Sequence, residues 1–329
     1  MKAIVRTKYG PPDVLKLEEV PKPTPGDDDV LVKIHAVALN AADLHLLTAD
    51  VFLVRLMAGG LLRPKHKILG ADIAGRVEAV GRNVKQFKPG DEVFGDIFAC
   101  GFGGFAEYVC VSENALVLKP INLTFEEAAA VPLAALTALH GLRDKGQIKP
   151  GQKVLINGAS GGVGTYAVQI AKSFGAEVTA VCSTSKLDMV RSLGADHAID
   201  YTKEDFTKSG QRYDLIFAAN GYHPILDYKR ALKPKGIYVM SGGSMAQMFQ
   251  AILLGRLISR SGGKKLGVLS SKPNQKDLAL MKELIEAGKV KPVIDRRYPL
   301  SEVPEAMRYL KEGHARGKVV ITVEHNDKT

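Results

Sequence analysis

The chain has 329 residues and a net charge of +10, with 46% hydrophobic and 24% charged residues. Because domains usually contain about 100–200 residues, this length predicts two compact domains, and the composition excludes a disordered chain. No apolar run reaches the roughly 18 residues that a membrane span needs, and the start MKAIVRTKYG lacks the apolar core of a secretory signal. The three cysteines lack CxxC spacing and are too few for a disulfide framework. We therefore expect a soluble protein of the reducing cytoplasm.

The surplus of positive charge is scattered along the chain. Aromatic residues make up only 6% of it and no RNA-binding motif appears, so we do not expect a nucleic-acid partner. One tract, residues 245–265, mixes apolar turns with Arg256, Arg260, Lys264 and Lys265. Such a tract is typical of an interfacial helix, which leaves peripheral membrane contact open, and also of a helix that lines a pocket or a dimer interface.

The first third of the chain has the pattern of β-structure. Short segments rich in Val and Ile are separated by turn sequences such as Pro23-Thr24-Pro25-Gly26 and Pro89-Gly90-Asp91. The predicted strands are residues 2–6, 30–37, 73–80, 92–94 and 105–111. Short strands with regular turns predict a small barrel or sandwich.

Near residue 123 the pattern changes from strands to helices. Thr124, followed by Glu126 and Glu127, predicts a capped helix start. Between residues 153 and 244, apolar strand-like runs alternate with helical ones, which indicates a parallel sheet covered by helices on both faces. The tail is mixed, with predicted helices at 275–287 and 303–312 and predicted strands at 293–298 and 318–323.

A glycine-rich turn lies between a buried strand and an amphipathic helix in the sequence KVLINGASGGVGTYAVQ. Gly161 would let the backbone approach a pyrophosphate, Gly164 would let the helix pack closely on the strand, and the helix N-terminus would offer free N–H groups. This context predicts a dinucleotide site. Its predicted residues in the turn are Ser160, Gly161, Gly162, Val163 and Gly164.

The same turn also satisfies GxSxG, the nucleophile elbow of α/β-hydrolases, with Ser160 as the nucleophile. That reaction needs an acid and then a histidine on later loops, and only Asp214 or Asp227 followed by His314 could supply them. Asp214 begins a predicted strand instead of ending one. A hydrolase is therefore the weaker alternative.

The stretch VCSTSK (181–186), at the end of the second strand of the predicted sheet, bears on the choice of nicotinamide cofactor. An Asp or Glu there would bind the ribose 2′-OH of NAD. Ser183, Thr184 and Ser185 instead offer hydroxyl donors and Lys186 offers a positive charge, which predicts a 2′-phosphate pocket and hence NADPH. As a plainer interpretation, the three hydroxyl residues cap the next helix.

Two further strand ends complete the part of the site predicted from the residues alone. Tyr201 follows the third predicted strand and Asn220 follows the fourth. The carboxyl ends of parallel strands meet at one edge of a sheet. Both side chains are therefore expected on the adenosine and ribose sides of the cofactor.

The whole chain resembles the medium-chain dehydrogenase/reductase superfamily. The resemblance rests on ALNAADLHLL (38–47), ILGADIAGRVEAVG (68–81), FKPGDEVFG (87–95), AAAVPLAALTALHGL (128–142), NGASGGVGTYAVQIAK (157–172) and GKVVI (317–321). It implies an α/β fold with a Rossmann doubly wound parallel sheet and a β-rich GroES-like barrel domain. The implied domains are a GroES-like substrate domain at 1–124 and 272–329 and a Rossmann NADPH-binding domain at 125–271.

The positions of zinc ligands are substituted in this sequence. Zinc alcohol dehydrogenases carry Cys where this chain has Asn40, and His-Glu where it has Ala71-Asp72, and only Cys100 and Cys110 lie near the region of their structural zinc. A zinc site needs several converging N, S or O ligands. The chain is therefore similar to the zinc-free quinone oxidoreductase and enone (alkenal) reductase branch, and no metal is expected.

The resemblance to that branch implies hydride transfer from NADPH to a quinone or to the C=C bond of an α,β-unsaturated carbonyl. Asn40 is the implied side chain that positions substrate or nicotinamide ribose, and Asp43 matches an acid with an orienting or proton-relay role. No tyrosine occurs in residues 46–58, where several members of the branch have one. Solvent or a ribose hydroxyl is then left to protonate the product. The other implied cofactor contacts are Pro132, Thr137, Ser241, Gly242 and Lys318.

The resemblance also implies a homodimer, paired through the edge strand at 266–269. An apolar substrate pocket is expected from two sets of residues, with core packing as the plainer alternative. They are Phe52, Leu53, Leu56, Leu61 and Leu62, and Met245, Met248, Phe249 and Leu253. A second function stays open, that of a non-catalytic NADPH-binding protein that docks on a membrane or RNA through its basic surface.

Overall fold

The computed structural model describes residues 1–49, 55, 60, 62–243, 245–261 and 263–325; for 245, 246, 256–258, 260 and 261 it describes the backbone alone. The chain divides into two compact units, one of residues 1–133, 273–286 and 292–329 and the other of residues 134–272 and 287–291.

Fifteen strands are present in the described residues. They are β1 (Lys2–Val5), β2 (Lys16–Glu19), β3 (Asp29–Ala38), β4 (Asp72–Val80), β5 (Glu92–Asp96), β6 (Tyr108–Ser112), β7 (Leu116–Leu118), β8 (Lys153–Asn157), β9 (Glu177–Cys182), β10 (His197–Asp200), β11 (Tyr213–Ala218), β12 (Leu232–Met240), β13 (Lys265–Val268), β14 (Ile294–Pro299) and β15 (Lys318–Thr322).

The α-helices of the described residues complete the two units. They are α1 (Ala41–Thr48), α2 (Phe125–Ala129), α3 (Pro132–Leu139), α4 (Gly162–Ser173), α5 (Leu187–Ser192), α6 (Ile225–Ala231), α7 (Met245–Ser261), α8 (Gln275–Glu286) and α9 (Val303–Lys311), with a π-helical turn at His140–Lys145. None of these helices is long and apolar enough to cross a membrane.

The first unit is built on a seven-stranded sheet in the order β14-β15-β3-β4-β5-β7, with β6 also paired to β3. All of its pairs are antiparallel except β14 with β15. Alternate residues of β3, among them Val30, Val32 and Ile34, enter a core that helix α9 closes with Val303 and Met307. This sheet supports the predicted β-rich domain.

Helix α2 begins where the sequence predicts a cap. Thr124 Oγ1 accepts a hydrogen bond from Glu127 N at 3.3 Å, and Glu127 Oε2 accepts one from Thr124 N at 2.9 Å. Such a reciprocal pair satisfies two N–H groups that the first helical turn leaves free. The sequence predicts this helix within the dinucleotide domain, whereas its packing against β3 and β4 places it in the first unit.

One predicted strand begins later than the sequence indicates. The prediction spans residues 105–111, but β6 starts at Tyr108. Phe105 N bonds to Leu69 O at 2.9 Å, and Ala106 forms an isolated antiparallel bridge with Ala3, so these two residues lie outside β6 and bond to other segments. Local composition could not reveal this, because the partner groups lie on other segments.

The second unit is a six-stranded parallel sheet in the order β10-β9-β8-β11-β12-β13. Numbered within the unit, this is the order 3-2-1-4-5-6 of a dinucleotide-binding fold, whose direction of winding reverses between β8 and β11. Helices cover the sheet, with Tyr166 and Ile170 of α4 and Tyr228 of α6 fully buried. The predicted Rossmann sheet is confirmed.

Candidate functional site

The predicted cofactor residues of the second unit follow the carboxyl ends of five neighbouring strands. The glycine turn follows β8, the STSK turn follows β9, Tyr201 follows β10, Asn220 follows β11, and Ser241-Gly242 follows β12. Since all these strands are parallel, the five ends lie at one edge of the sheet. In open α/β sheets ligands bind in the crevice at this edge, at the point where the winding reverses.

The glycine turn has the close backbone packing that a dinucleotide turn requires. A Cβ on Gly164 would lie 2.1 Å from Gly158 O, so helix α4 can approach the turn only without a side chain there. A Cβ on Gly161 would lie 3.7 Å from Gly158 O, an ordinary van der Waals contact, so the described residues leave room for a side chain there. The turn is therefore closely packed at Gly164, and it has room beside the backbone at Gly161.

Helix α4 presents its N-terminus at this open side. It has 12 residues, starts at Gly162 with Gly161 as its extended N-cap, and its first turn includes Val163. Free N–H groups and the helix dipole at such an end favour an anion. Ser160, whose residue is 7% exposed, lies buried within the turn. The residues present fit the pyrophosphate of a dinucleotide.

The STSK turn begins a helical segment, with Thr184–Lys186 forming a short 3-10 turn before α5. Thr184 and Ser185 are exposed, while Ser183 and Lys186 are half-buried. The Ser183 side chain makes no cap hydrogen bond, so the plainer interpretation as a helix cap is wrong for that residue. Burial raises the pKa of Cys182 to about 11, and the positive charge of Lys186 acts against this rise.

An acid beside this turn escaped the sequence analysis. Asp200, the last residue of β10, accepts a short hydrogen bond from Thr184 Oγ1 and another from Thr202 Oγ1 at 2.7 Å. These two hydroxyl bonds lower its pKa to about 2. The parallel register that pairs Asp200 with Cys182 could have indicated this contact. The Thr184 hydroxyl is thus committed to Asp200, and the phosphate pocket would rely on Ser183, Ser185 and Lys186.

The remaining strand-end residues differ in exposure. Tyr201 is 61% exposed, as a ring available for stacking would be. Asn220 is also exposed, and its Oδ1 accepts a hydrogen bond from Gly221 N at 2.8 Å. Ser241 N bonds to Ala218 O at 3.0 Å, and a Cβ on Gly242 would lie 2.4 Å from Ala219 O. These contacts join the end of β12 to the end of β11.

The first unit contains a buried polar cluster, which we call the Asn40 network, formed by Asn40, Asp72 and Lys318. Asn40 Nδ2 donates to Asp72 Oδ2 at 3.0 Å, and Lys318 Nζ donates to Asn40 Oδ1 at 2.5 Å and to Asp72 Oδ2 at 3.4 Å. Asn40 is 7%, Asp72 0% and Lys318 3% exposed. Burial raises the pKa of Asp72, and the charge of Lys318 and the bond from Asn40 act against this rise.

Three segments far apart in sequence build this network. Asn40 precedes helix α1, Asp72 begins β4, and Lys318 begins β15. Lys318 can reach the other two because Gly317 adopts φ +89°, and a Cβ there would lie 2.3 Å from Val293 O. Asp72 also fixes the start of α3, since its Oδ1 accepts a bond from Leu133 N at 3.0 Å. The predicted residues Asn40 and Lys318 are thus brought together by Asp72, which is fully buried.

Asp43 holds the backbone around Asn40. Its Oδ2 accepts a hydrogen bond from Asn40 N at 2.9 Å and its Oδ1 accepts one from Gly70 N at 3.2 Å. The residue is 1% exposed, and burial raises its pKa to about 7. Both oxygens therefore bond to the backbone beside Asn40, and the orienting or proton-relay role of Asp43 stays a prediction.

The other predicted residues occupy varied environments. Pro132 is buried at the first position of α3, and Thr137 is half-buried in the same helix. Of the expected pocket residues, Leu62 is 90%, Phe249 55% and Leu253 64% exposed. Phe52, Leu53, Leu56, Leu61 and the Met245 side chain lie outside the described residues, and Met248 is half-buried.

Comparisons with known proteins agree with this architecture. The sequence profile described as "Alcohol dehydrogenase GroES-like domain" matches residues 26–121, and that described as "Zinc-binding dehydrogenase" matches residues 193–321. The chain is 41% identical to 2-methylene-furan-3-one reductase of Solanum lycopersicum, over 98% of this chain and 79% of that protein. It is 38% identical to the chloroplastic NADPH-dependent alkenal/one oxidoreductase of Arabidopsis thaliana, with the same coverage.

A solved structure of the quinone oxidoreductase from Coxiella burnetii has the same fold. Its TM-score with this chain is 0.88 at 31% sequence identity, and the match covers 98% of this chain and 99% of that one. The predicted combination of a Rossmann sheet with a GroES-like domain is thereby confirmed. The chain belongs to the medium-chain dehydrogenase/reductase superfamily, in its zinc-free quinone oxidoreductase and enone reductase branch.

Proposed function

We propose that the protein is an NADPH-dependent reductase that transfers a hydride to a quinone or to the C=C bond of an α,β-unsaturated carbonyl. The observation that carries this proposal is the open glycine turn at the winding reversal, with a lysine and two serines at the end of the adjacent strand. The relatives' names, an alkenal/one oxidoreductase that depends on NADPH and a furanone reductase, support the same reaction.

The second unit would hold NADPH at the carboxyl edge of its sheet. Backbone N–H groups at Gly162 and Val163 would bind the pyrophosphate, and Ser183, Ser185 and Lys186 would bind the 2′-phosphate. Bound NADPH supplies the hydride. The predicted contacts of Tyr201 and Asn220 with the adenosine, and of Pro132, Thr137, Ser241 and Gly242 with the nicotinamide side, are part of this proposal.

We propose that the reaction proceeds without zinc, because the Asn40 network has the wrong donors for a metal. Asp72 is the only acidic residue of the network, and an amide and an ammonium surround it. Lys318 Nζ lies 3.4 Å from Asp72 Oδ2. A cation at this distance repels a divalent ion, whereas zinc sites use thiolate, imidazole or carboxylate ligands. Within the described residues, the third hydrogen of Lys318 has no acceptor and is available to an oxygen of substrate or cofactor.

The Asn40 network would stabilise the negative charge that develops on the substrate. The hydride adds to the β-carbon, the electrons of the C=C bond move to the carbonyl oxygen, and the enolate then takes a proton at its α-carbon. Fixed donors aimed at such an oxygen stabilise the charge as it develops. Lys318 is the donor we assign to this role. Both Nδ2 hydrogens of Asn40 already bond to Ala38 O and Asp72 Oδ2, so Asn40 acts by holding the Lys318 ammonium in place through its Oδ1. Solvent or a ribose hydroxyl is the proposed proton source.

The test is turnover, measured as loss of reduced-nicotinamide absorbance with a panel of quinones and long-chain enones. We expect oxidation of NADPH with at least one class of acceptor, and much less with NADH. A protein that binds NADPH tightly but reduces no member of the panel would instead be the non-catalytic binder left open by the sequence. If the wild-type protein hydrolyses ester substrates and Ser160→Ala does not, the hydrolase alternative is supported.

We also propose a cytoplasmic homodimer. Strand β13 pairs with β12 through the register Tyr238 with Leu266 and Val239 with Gly267, and it is last in the strand order of its sheet. A second copy could extend the sheet through that edge. Sedimentation of the purified protein at twice the mass of 35.4 kDa is the expected result, and a monomer would contradict it.

The exposed residues of helix α7 are consistent with peripheral membrane contact. Phe249, Ile252 and Leu253 follow helical spacing on it and are 55%, 40% and 64% exposed. Apolar side chains beside basic residues suit an interfacial helix, and a dimer or pocket role would bury the same face. Flotation with vesicles of anionic lipid distinguishes the two, since only a membrane-binding helix carries the protein upward with them.

A further inference from the structure

Asp96 is a buried acid to which nothing above assigns a role. It ends strand β5, is 8% exposed, and lies directly opposite Asp72 in the register of β4 and β5. Its Oδ1 accepts a hydrogen bond from Phe98 N at 2.9 Å. Its Oδ2 is buried, and no donor within the described part of the chain reaches it. A buried charged oxygen without a partner is costly, so this atom requires an explanation.

The groups facing Asp96 come from four elements. Asp72 on β4 and Asp43 on α1 are acidic, Lys318 on β15 is basic, and Cys100 lies in the turn that follows β5. Lys318 brings one positive charge toward three carboxyl groups. Full ionisation of all three would therefore leave this buried region with a strong excess of negative charge, which a medium of low polarity opposes.

Hydrogen bonding identifies the carboxyl group that carries a proton. Both oxygens of Asp43 accept backbone N–H bonds, and both oxygens of Asp72 accept N–H bonds, one of them also from the Lys318 ammonium. These two groups are acceptors on every oxygen, as carboxylates are. Among the residues that the structure describes, no N–H is directed at Oδ2 of Asp96, which is therefore the oxygen on which a proton displaces no bond.

We propose that Asp96 is held as a neutral acid and acts as a positioning residue, whose proton preserves the charge balance that keeps Lys318 on Asn40. Ionised Asp96 would place a new negative charge beside Asp72 and compete for the same ammonium. Lys318 would then be drawn from Asn40 Oδ1, and the orientation of the amide would no longer be fixed. The kinetic part of this inference rests on the proposed function; the part about the proton does not.

The direction of the pH dependence follows from burial. Burial, with the charge of Asp72 as the next cause, raises the pKa of Asp96 from 3.8 to about 7. A raised pKa means that the folded protein binds more protons than the unfolded chain between these values. The stabilisation is therefore complete below the unfolded value and is lost as the pH rises through about 7. Above that pH an ionised Asp96 weakens both the fold and the Asn40 network.

The experiment compares wild type, Asp96→Asn and the control Asp28→Asn, an exposed acid bonded to Asn83. Infrared spectroscopy at about pH 6, where exposed acids are ionised, should show the protonated-carboxyl band of a buried aspartate in wild type and in the control; this band should be lost in Asp96→Asn and kept in Asp43→Asn. The difference in Tm between Asp96→Asn and wild type should shift in favour of the variant by about 2–4 °C on going from about pH 5 to about pH 8. Turnover of wild type should fall above neutral pH, while that of Asp96→Asn should hold its plateau to higher pH.

A persistent band in Asp96→Asn, or its loss in Asp43→Asn instead, would overturn the proposal. So would an equal difference in Tm at both pH values. If Asp96→Asn does not fold, wild type labelled with ¹³C at its aspartate carboxyl groups gives the answer by NMR. A buried carboxyl that titrates near neutral pH and is still seen in Asp43→Asn supports the proposal, and the absence of one refutes it. If the protein shows no turnover, the proposed function is refuted, but the spectroscopic tests of the Asp96 proton still apply.

Discussion

The glycine turn of the second unit keeps its donors open, whereas the Asn40 network of the first unit bonds mainly to itself. At the turn, the Cβ position of Gly161 lies at an uncrowded van der Waals distance from Gly158 O, and helix α4 begins at the next residue. In the network, each polar atom of Asn40 has a partner, and Asp72 is fully buried. This difference indicates that the turn can bind a ligand, whereas the Asn40 network holds a few side-chain atoms in one arrangement.

Removing Lys318 should have the largest effect. Lys318→Met leaves Asp72 buried without its cation, and breaking one side of a buried ion pair costs about 3–5 kcal/mol of the free energy of unfolding. The double variant Lys318→Met/Asp72→Asn removes the unpaired charge and should recover part of this loss. Urea unfolding of wild type and both variants measures the difference. A single variant as stable as wild type would mean that the network does not hold the first unit together.

Substitutions at Gly164 and Gly161 should separate an effect on stability from an effect on NADPH binding. Gly164→Ala places a Cβ 2.1 Å from a backbone oxygen and should destabilise the second unit by about 1–3 kcal/mol. Gly161→Ala places its Cβ at an ordinary van der Waals distance, 3.7 Å, from Gly158 O, so its free energy of unfolding should stay within about 0.5 kcal/mol of wild type. It should nevertheless weaken NADPH binding, because the methyl group stands where the pyrophosphate approaches. Calorimetry for binding and urea unfolding for stability check both. Equal NADPH affinity in Gly161→Ala and wild type would place the pyrophosphate elsewhere.

Lys186→Ala should have the smallest effect of the three, confined to one cofactor. A charge-assisted bond to a phosphate contributes about 1.5–3 kcal/mol, so the Kd for NADPH should rise about tenfold or more while that for NADH stays unchanged. Lys208→Ala, at an exposed lysine paired with Asp205, is the matched control. Fluorescence titration with both cofactors gives the result. Equal weakening for NADPH and NADH would contradict the 2′-phosphate pocket.

The sequence predicts the turn well and the network poorly, for a physical reason. The turn combines a strand, three glycines and a helix within a short stretch, and the order of strands then brings Ser183 and Ser241 to the same edge. Asn40 and Lys318 are 278 positions apart, and no local pattern indicates that they touch. Asp96 and Asp200 were missed for the same reason, since each matters through a residue on a neighbouring strand.

The position of Lys318 near the end of the chain has a consequence for synthesis. The first unit is interrupted by the second, so β15 emerges from the ribosome and reaches β3 only after the whole second unit has emerged. Domains generally fold as units during synthesis, beginning with those already complete. The parallel sheet can therefore form while the first unit still lacks its final strands. Until then Asp72 lacks its cation, so the Asn40 network is completed only when β15 has been synthesised.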